Sequence, residues 1–143
     1  MKDANKIYAV IDTNVIVSAL ITSNRESNPN QVVKAINIGH ITPIYNDEIE
    51  SEYKRVLHYP KLKIPEDQID TFISTLRKFG IKVDRTKVYE ETFTDPDDIV
   101  FYEVKMSVDD SYLVTGNQKH FPVKSFVVTP TQMVEILKER NLI

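Results

Sequence analysis

Oxygen-bearing side chains recur where apolar segments of this 143-residue chain end or begin. Asp12 directly follows the apolar run Ile7–Ile11, Glu52 lies in a predicted helix, Asp98 begins another helix, and Asn117 follows a predicted strand. Carboxylate and amide oxygens are the ligands that Mg²⁺ and Mn²⁺ prefer in proteins. A metal held by carboxylates can lower the pKa of a bound water and neutralise charge on a phosphate oxygen. The residue types therefore suggest metal-dependent hydrolysis of a phosphodiester.

Apolar runs and segments of helical period alternate along the chain, which predicts the elements that must position these side chains. Strands are predicted at 7–11, 41–45, 81–83, 111–115 and 125–128. Between them lie an apolar stretch at 13–20 and helices predicted at about 29–39, 46–60, 65–80, 99–106 and 130–140. Strands that alternate with helices indicate right-handed βαβ units, so we predict an α/β fold with a mostly parallel sheet covered on both faces.

In such a sheet the strand ends and the starts of the following helices share one edge, where ligands bind. This geometry predicts that several oxygen-bearing side chains meet at one rim: Asp12, Glu48 and Glu52, the acids Asp95, Asp97 and Asp98, and Asn117. Asp12 is the most informative of them, because a charge at the end of a buried strand needs a partner or a metal. Structural roles are open for the others: a surface position for Glu52, and a helix cap or turn for the acids of the segment 95–98.

Composition limits the alternatives. The chain has no cysteine, which excludes disulfides, thiolate nucleophiles and cysteine-ligated zinc. Its length fits one domain spanning residues 1–143, and its formal charge of −3 argues against a strong nonspecific hold on nucleic acid. No apolar run approaches the ~18–20 residues of a membrane span, and the first residues make a poor signal peptide. We therefore expect a cytoplasmic protein that does not associate with membranes.

Four segments, in order, resemble the motifs of PIN domains. They are Val10–Leu20, Asp47–Leu57, Asp95–Asp98 and Leu113–Phe121, of which the last contains Leu-Val-Thr-Gly-Asn. The resemblance extends from residue 7 to about residue 128. It implies a three-layer α/β/α domain with a central, mostly parallel sheet of about five strands.

The resemblance also implies an activity: a Mg²⁺- or Mn²⁺-dependent endoribonuclease of the VapC-like toxins of bacterial toxin–antitoxin pairs. Its substrate would be RNA, and its partners a small antitoxin and a second copy of the chain. By their match to the motifs, Asp12, Glu52 and Asp98 would be the catalytic metal ligands, with Asp95 as an additional one. Asn117 stands where many members carry a fourth aspartate; as a metal residue it would bind through its carbonyl oxygen or hold a metal-bound water, and it adds no negative charge. Thr13, Asn14 and Thr115 match positions that support the acidic pocket through hydrogen bonds.

Basic residues near the rim are candidates for RNA binding. Lys119 and His120 follow Asn117 directly, and Arg25 lies in the polar loop before the predicted helix at residue 29. Lys54 and Arg55 are weaker candidates, which we interpret as solvated positions on a helix surface.

Two other classes of function stay open. A PIN-like module could bind RNA or protein without cutting, a reading that the uncharged Asn117 permits. A phosphoryl-acceptor domain, of the receiver or aspartate-phosphatase kind, would also place an aspartate after its first strand. The phosphatase class usually has a second aspartate two residues later, where this chain has Asn14.

Overall fold

The fold is known from a computed structural model that describes residues 6–86, 93 and 95–143. Among these residues, five strands form one sheet in which every pairing is parallel. They are β1 (Ile7–Ile11), β2 (Ile41–Tyr45), β3 (Ile81–Lys82), β4 (Ser111–Val114) and β5 (Val127–Val128), in the order β3-β2-β1-β4-β5. The predicted strands are confirmed, but the last is shorter than its sequence pattern suggested.

In the described part of the chain, six helices flank the sheet and complete the predicted three-layer α/β/α arrangement. They are α1 (Thr13–Ile21), α2 (Asn28–Asn37), α3 (Asp47–Leu57), α4 (Glu66–Phe79), α5 (Asp98–Met106) and α6 (Pro130–Glu139). Short 3-10 turns lie at Pro60–Leu62 and Gln118–His120. None of the described helices has the length and apolar character that crossing a membrane requires.

Helix starts are encoded locally by side chains that accept hydrogen bonds from the first free backbone N–H groups. Asn46 accepts one from the Ile49 N–H at 2.9 Å and so begins α3, as its sequence position predicted. Thr129 and Gln132 form a reciprocal capping box at the start of α6. These caps fix where each helix leaves the strand end, which matters because the candidate site lies at those junctions.

The central strand is buried on both faces, as its continuous apolar sequence predicts. Helix α5 packs against β1, β2 and β4, while α2 packs against α1 and α6. In the register of the sheet Ile11 lies opposite Val114, so the chain leaves β1 and β4 side by side at one edge. Helix α3 begins at the same edge from the other neighbour of β1, the strand β2.

Gly80 provides a test of the packing between the end of α4 and β2. A Cβ atom at this position would press on the backbone oxygen of Leu76 and approach that of Pro43 to 3.0 Å. Backbone atoms cannot rotate away, so we expect Gly80→Ala to lower the free energy of unfolding by about 1–3 kcal/mol. Urea denaturation measures this, with the exposed Ser74→Ala on the same helix as a control expected to change it by no more than about 0.5 kcal/mol. Equal effects of the two substitutions would contradict the steric argument.

Candidate active site

Asp12 lies at the carboxyl end of β1 with a carboxylate that is 6% exposed. Although it occupies the position before α1, its side chain does not cap that helix. Instead, its Oδ2 accepts hydrogen bonds from Thr115 Oγ1 at 2.7 Å and from Asn14 Nδ2 at 3.1 Å. The buried charge is thus satisfied by neutral donors, which hold the carboxylate in one orientation.

The pairing of β1 with β4 supplies these donors. The Asp12 N–H donates to the Val114 carbonyl at 2.8 Å, which continues the strand ladder by one residue beyond β1. Asn14 also accepts a hydrogen bond from the Gly116 N–H at 3.0 Å through its Oδ1. A Cβ atom at residue 116 would lie 3.2 Å from that Oδ1, so glycine allows the close approach. Asn14 therefore joins the start of α1 to the end of β4.

Glu52 reaches the same rim from the second turn of α3. Its Oε2 accepts a hydrogen bond from Thr13 Oγ1, the residue directly after Asp12. The next residue, Tyr53, donates its buried hydroxyl to the Ile11 carbonyl. Two adjacent residues of α3 thus bond to two positions that flank Asp12, and this fixes the helix relative to the end of β1.

Asp98 is the first residue of α5, and its side chain is 13% exposed. Its Oδ2 is buried and has no hydrogen-bond partner among the described residues. His120 Nδ1 lies 3.5 Å from this oxygen, at the distance of an ion pair when the imidazole is protonated. A buried carboxylate oxygen without a hydrogen bond is costly, so it marks a place where a ligand would be stabilised.

The electrostatics of the rim favour a cation. Burial raises the pKa of Asp98 to about 7, and the nearby charges of Asp12 and Asp95 add to this effect. Burial also raises the pKa of Asp12 and of Glu52, while the hydrogen bonds from Thr115 and Thr13 act in the opposite direction. Like charges that raise each other's pKa are relieved by a cation between them.

Three other predicted site residues, Asn117, Asp95 and Lys119, are exposed. Asn117 is exposed, and its backbone N–H donates to Thr115 Oγ1 at 3.0 Å. Asp95 is exposed and accepts the Asp97 N–H at 2.9 Å, so its carboxylate serves a local turn. Lys119 is exposed beside His120.

Arg25, the remaining RNA-binding candidate, lies apart from these residues. It lines a separate groove between α1, α2 and α4 that contains none of the acids discussed above. Sequence reasoning placed it with the site only because it is basic and lies in a polar loop.

The structure also brings a residue to the site that the sequence interpretation set aside. Arg55 NH2 lies 3.8 Å from Glu52 Oε1. The signal was available in the sequence, because residues three apart on a helix share a face. Arg55 therefore lies next to Glu52, close to the rim.

The oxygen donors of this rim are of the chemical type that holds a divalent cation. No three acidic or histidine side chains in the described part of the chain already stand together as a metal-binding group. Nevertheless, the donors are all oxygens suited to Mg²⁺ or Mn²⁺, and the buried Oδ2 of Asp98 is unsatisfied. Asp12, Glu52 and Asp98 are the residues that would hold the ion.

Comparison with known families agrees with this geometry. The sequence model of the PIN domain family matches residues 8–119, a span that contains all three carboxylates. The chain belongs to the PIN domain family. PIN domains are typically nucleases, generally metal-dependent ribonucleases, and they generally bind divalent metals. This family assignment confirms the sequence resemblance at the level of the PIN domain and does not favour the phosphoryl-acceptor alternative. No curated protein and no solved structure gives a significant match.

Thr115 gives a test of how the PIN domain orients Asp12. Thr115→Val keeps the shape of the side chain but removes the donor to Asp12 Oδ2, so we expect Mn²⁺ affinity to fall roughly 10- to 100-fold. Thr115→Ser, which keeps the hydroxyl, is the matched control and should retain most of the affinity. Calorimetric titration with Mn²⁺ measures both variants. Wild-type affinity in Thr115→Val would show that this hydrogen bond does not support the metal site.

Asp98 gives a second test, through the pH dependence of stability without metal. Its pKa is about 7 in the folded chain, against an ordinary value of 3.8. Between these values the folded chain holds a proton that the unfolded chain has released, so this group's contribution to the free energy of unfolding falls as the pH rises.

The measurement is urea denaturation in EDTA at about pH 5 and about pH 7.5. Asp98→Asn should remove this part of the decrease, because the amide does not titrate. Asp67→Asn, at an exposed position of α4, should keep the wild-type pH dependence. An unchanged pH dependence in Asp98→Asn would contradict the raised pKa.

Proposed function

We propose that this PIN domain is a Mg²⁺- or Mn²⁺-dependent endoribonuclease that hydrolyses phosphodiester bonds of RNA. One observation carries the proposal: carboxylates from β1, α3 and α5 converge on one rim, where a buried oxygen of Asp98 has no hydrogen bond from the described residues. The chain also belongs to a family whose members are typically nucleases, which is why we interpret this group of carboxylates as a nuclease site.

The residues of the rim have two kinds of role in the proposed mechanism: three would hold the metal, and two orient the carboxylates. Asp12, Glu52 and Asp98 would hold the divalent cation. When bound, the ion supplies Lewis-acid chemistry that offsets negative charge on the phosphate and makes water easier to deprotonate. Thr115 and Thr13 keep the carboxylates of Asp12 and Glu52 in fixed orientations, so little reorganisation is needed when charge develops.

The substrate would approach over the exposed side of this rim. Lys119 and His120 are the cationic residues expected to contact its phosphates, and His120 already lies beside Asp98. Asn117 can offer a carbonyl oxygen but no charge, so we propose that a single cation suffices.

We further propose that the enzyme is the toxin of a toxin–antitoxin pair and forms a homodimer. The support is the resemblance of its four motifs to VapC-like toxins. A small antitoxin would inhibit the enzyme by covering the rim. A short reading frame next to the gene, whose product copurifies with this chain and suppresses RNA cleavage, would support this role.

RNA cleavage by purified protein tests the enzymatic proposal. We expect cleavage with Mg²⁺ or Mn²⁺ and none in EDTA. Asp12→Asn and Glu52→Gln should each reduce the rate by roughly 100-fold or more, because each removes charge where the cation would bind. The matched control is Asp70→Asn, the same change at an exposed position of α4, which should cleave like the wild type. Undiminished activity of Asp12→Asn would refute the mechanism.

The same assay separates the enzyme from a binding module that does not cut, the alternative favoured by the uncharged Asn117. Such a module would bind RNA with a measurable affinity and leave it intact at every metal concentration. Asn117→Asp would be the informative variant there, because restoring a fourth acid would be expected to restore cleavage.

A further inference from the structure

A small cleft opens between α3 and α5 on the outer side of Glu52. It has a volume of about 270 Å³. Its lining combines the apolar side chains of Ile49, Val100 and Phe101 with the polar side chains of Glu48, Ser51, Glu52, Arg55 and Asp97. Arg55 is the one cationic side chain among the described residues that line it. Because Glu52 lines this cleft and also belongs to the rim, a strand bound at the rim can continue into the cleft.

The Arg55 guanidinium has one hydrogen bond beside this cleft, and much of the side chain is exposed. Its NH1 donates a hydrogen bond to the Tyr59 hydroxyl at 3.0 Å, one turn further along α3. Its NH2 is 3.8 Å from Glu52 Oε1, which is an ion-pair distance but too long for a hydrogen bond. The side chain remains 56% exposed. The guanidinium therefore faces solvent with donors available to a ligand.

We propose that the α3–α5 cleft binds the RNA strand next to the scissile bond and that Arg55 contacts a backbone phosphate there. The planar fork of N–H donors in a guanidinium matches phosphate oxygens in pairs. A positive charge at this point also offsets the repulsion between the strand and Glu48, Glu52 and Asp97. This inference rests on the proposed ribonuclease function and assigns a binding residue to it.

Lys54, the preceding residue, is a matched control that separates the effect of position from the effect of charge. Its Nζ lies 3.4 Å from Glu50 Oε2, and Glu50 also accepts two hydrogen bonds from Arg77, at 2.8 and 3.1 Å. Lys54 does not line the cleft. Lys54→Gln and Arg55→Gln thus remove the same charge from neighbouring positions on one helix, and only the second removes it from the cleft.

The experiment compares the two variants by fluorescence anisotropy with a labelled single-stranded RNA, in the Asp12→Asn background so that the RNA stays intact. Arg55→Gln should weaken binding about tenfold, the effect of one charged hydrogen-bonding contact. It should also reduce the slope of log Kd against log salt by about 0.7, the value for one lost phosphate contact on a single strand. Lys54→Gln should change neither quantity.

Arg55→Lys keeps the charge but loses the paired donors, and its affinity should lie between those of the wild type and Arg55→Gln. Circular dichroism verifies that all variants are folded. Equal effects of Arg55→Gln and Lys54→Gln, or an unchanged salt slope in Arg55→Gln, would overturn the proposal. So would an effect that appears only as weaker Mn²⁺ affinity in the otherwise wild-type chain, since Arg55 would then act through Glu52.

Failure of the ribonuclease proposal can be distinguished from failure of this one. If the wild-type chain does not cleave RNA with any divalent metal, the enzymatic function fails. The anisotropy comparison does not depend on cleavage, so a selective loss of binding in Arg55→Gln would still support the contact.

Discussion

The hydrogen bond from Thr115 to Asp12 connects residues 103 positions apart, and the geometry of the site depends on it. It exists because β1 and β4 are adjacent and parallel, so the residues that follow Ile11 and Val114 emerge together. Together with the Asn14 amide, the Thr115 hydroxyl satisfies the buried charge of Asp12. Asn14 also strengthens the junction by accepting a hydrogen bond from the Gly116 N–H. Glu52 is joined to the same junction through Thr13, the residue after Asp12.

The acidic rim lowers the free energy of unfolding that the rest of the fold provides. Burial raises the pKa of Asp98, Asp12 and Glu52, and nearby acids add to the increase at Asp98 and Glu52, so the chain must hold these groups in an unfavourable environment. The packing of side chains below the rim holds these acidic groups in place. Tyr53 lies between Phe72 and Phe101, at ring-centre distances of 5.6 and 6.3 Å, and bonds to the Ile11 carbonyl. A formal charge of −3 for the whole chain conceals this local concentration of acids, and it is therefore a poor guide to nucleic-acid binding.

Much of the fold follows from local sequence because it depends on local physics. The apolar run of β1 predicts a strand buried on both faces, and Asn46 predicts the start of α3 through its cap. The start of β5 was harder to predict. A ladder between parallel strands needs a partner residue opposite, and only Val127 and Val128 have one in β4. The interpretation of Arg55 as a solvated helix position missed its place in the cleft, because the cleft is formed by two helices that are distant in sequence.

The sequence by itself determined the element order, the parallel α/β class, the absence of cysteine chemistry and the family motifs. These depend on residue type and short-range spacing. Only the tertiary structure decided that Asp12 bonds to Thr115 instead of capping α1, that Asp98 keeps a buried oxygen without a hydrogen bond from the described residues, and that Arg25 lies in another groove. The reason is physical: burial, the pKa of an acid and the partner of a hydrogen bond depend on neighbours in space, and these come from segments that the sequence separates.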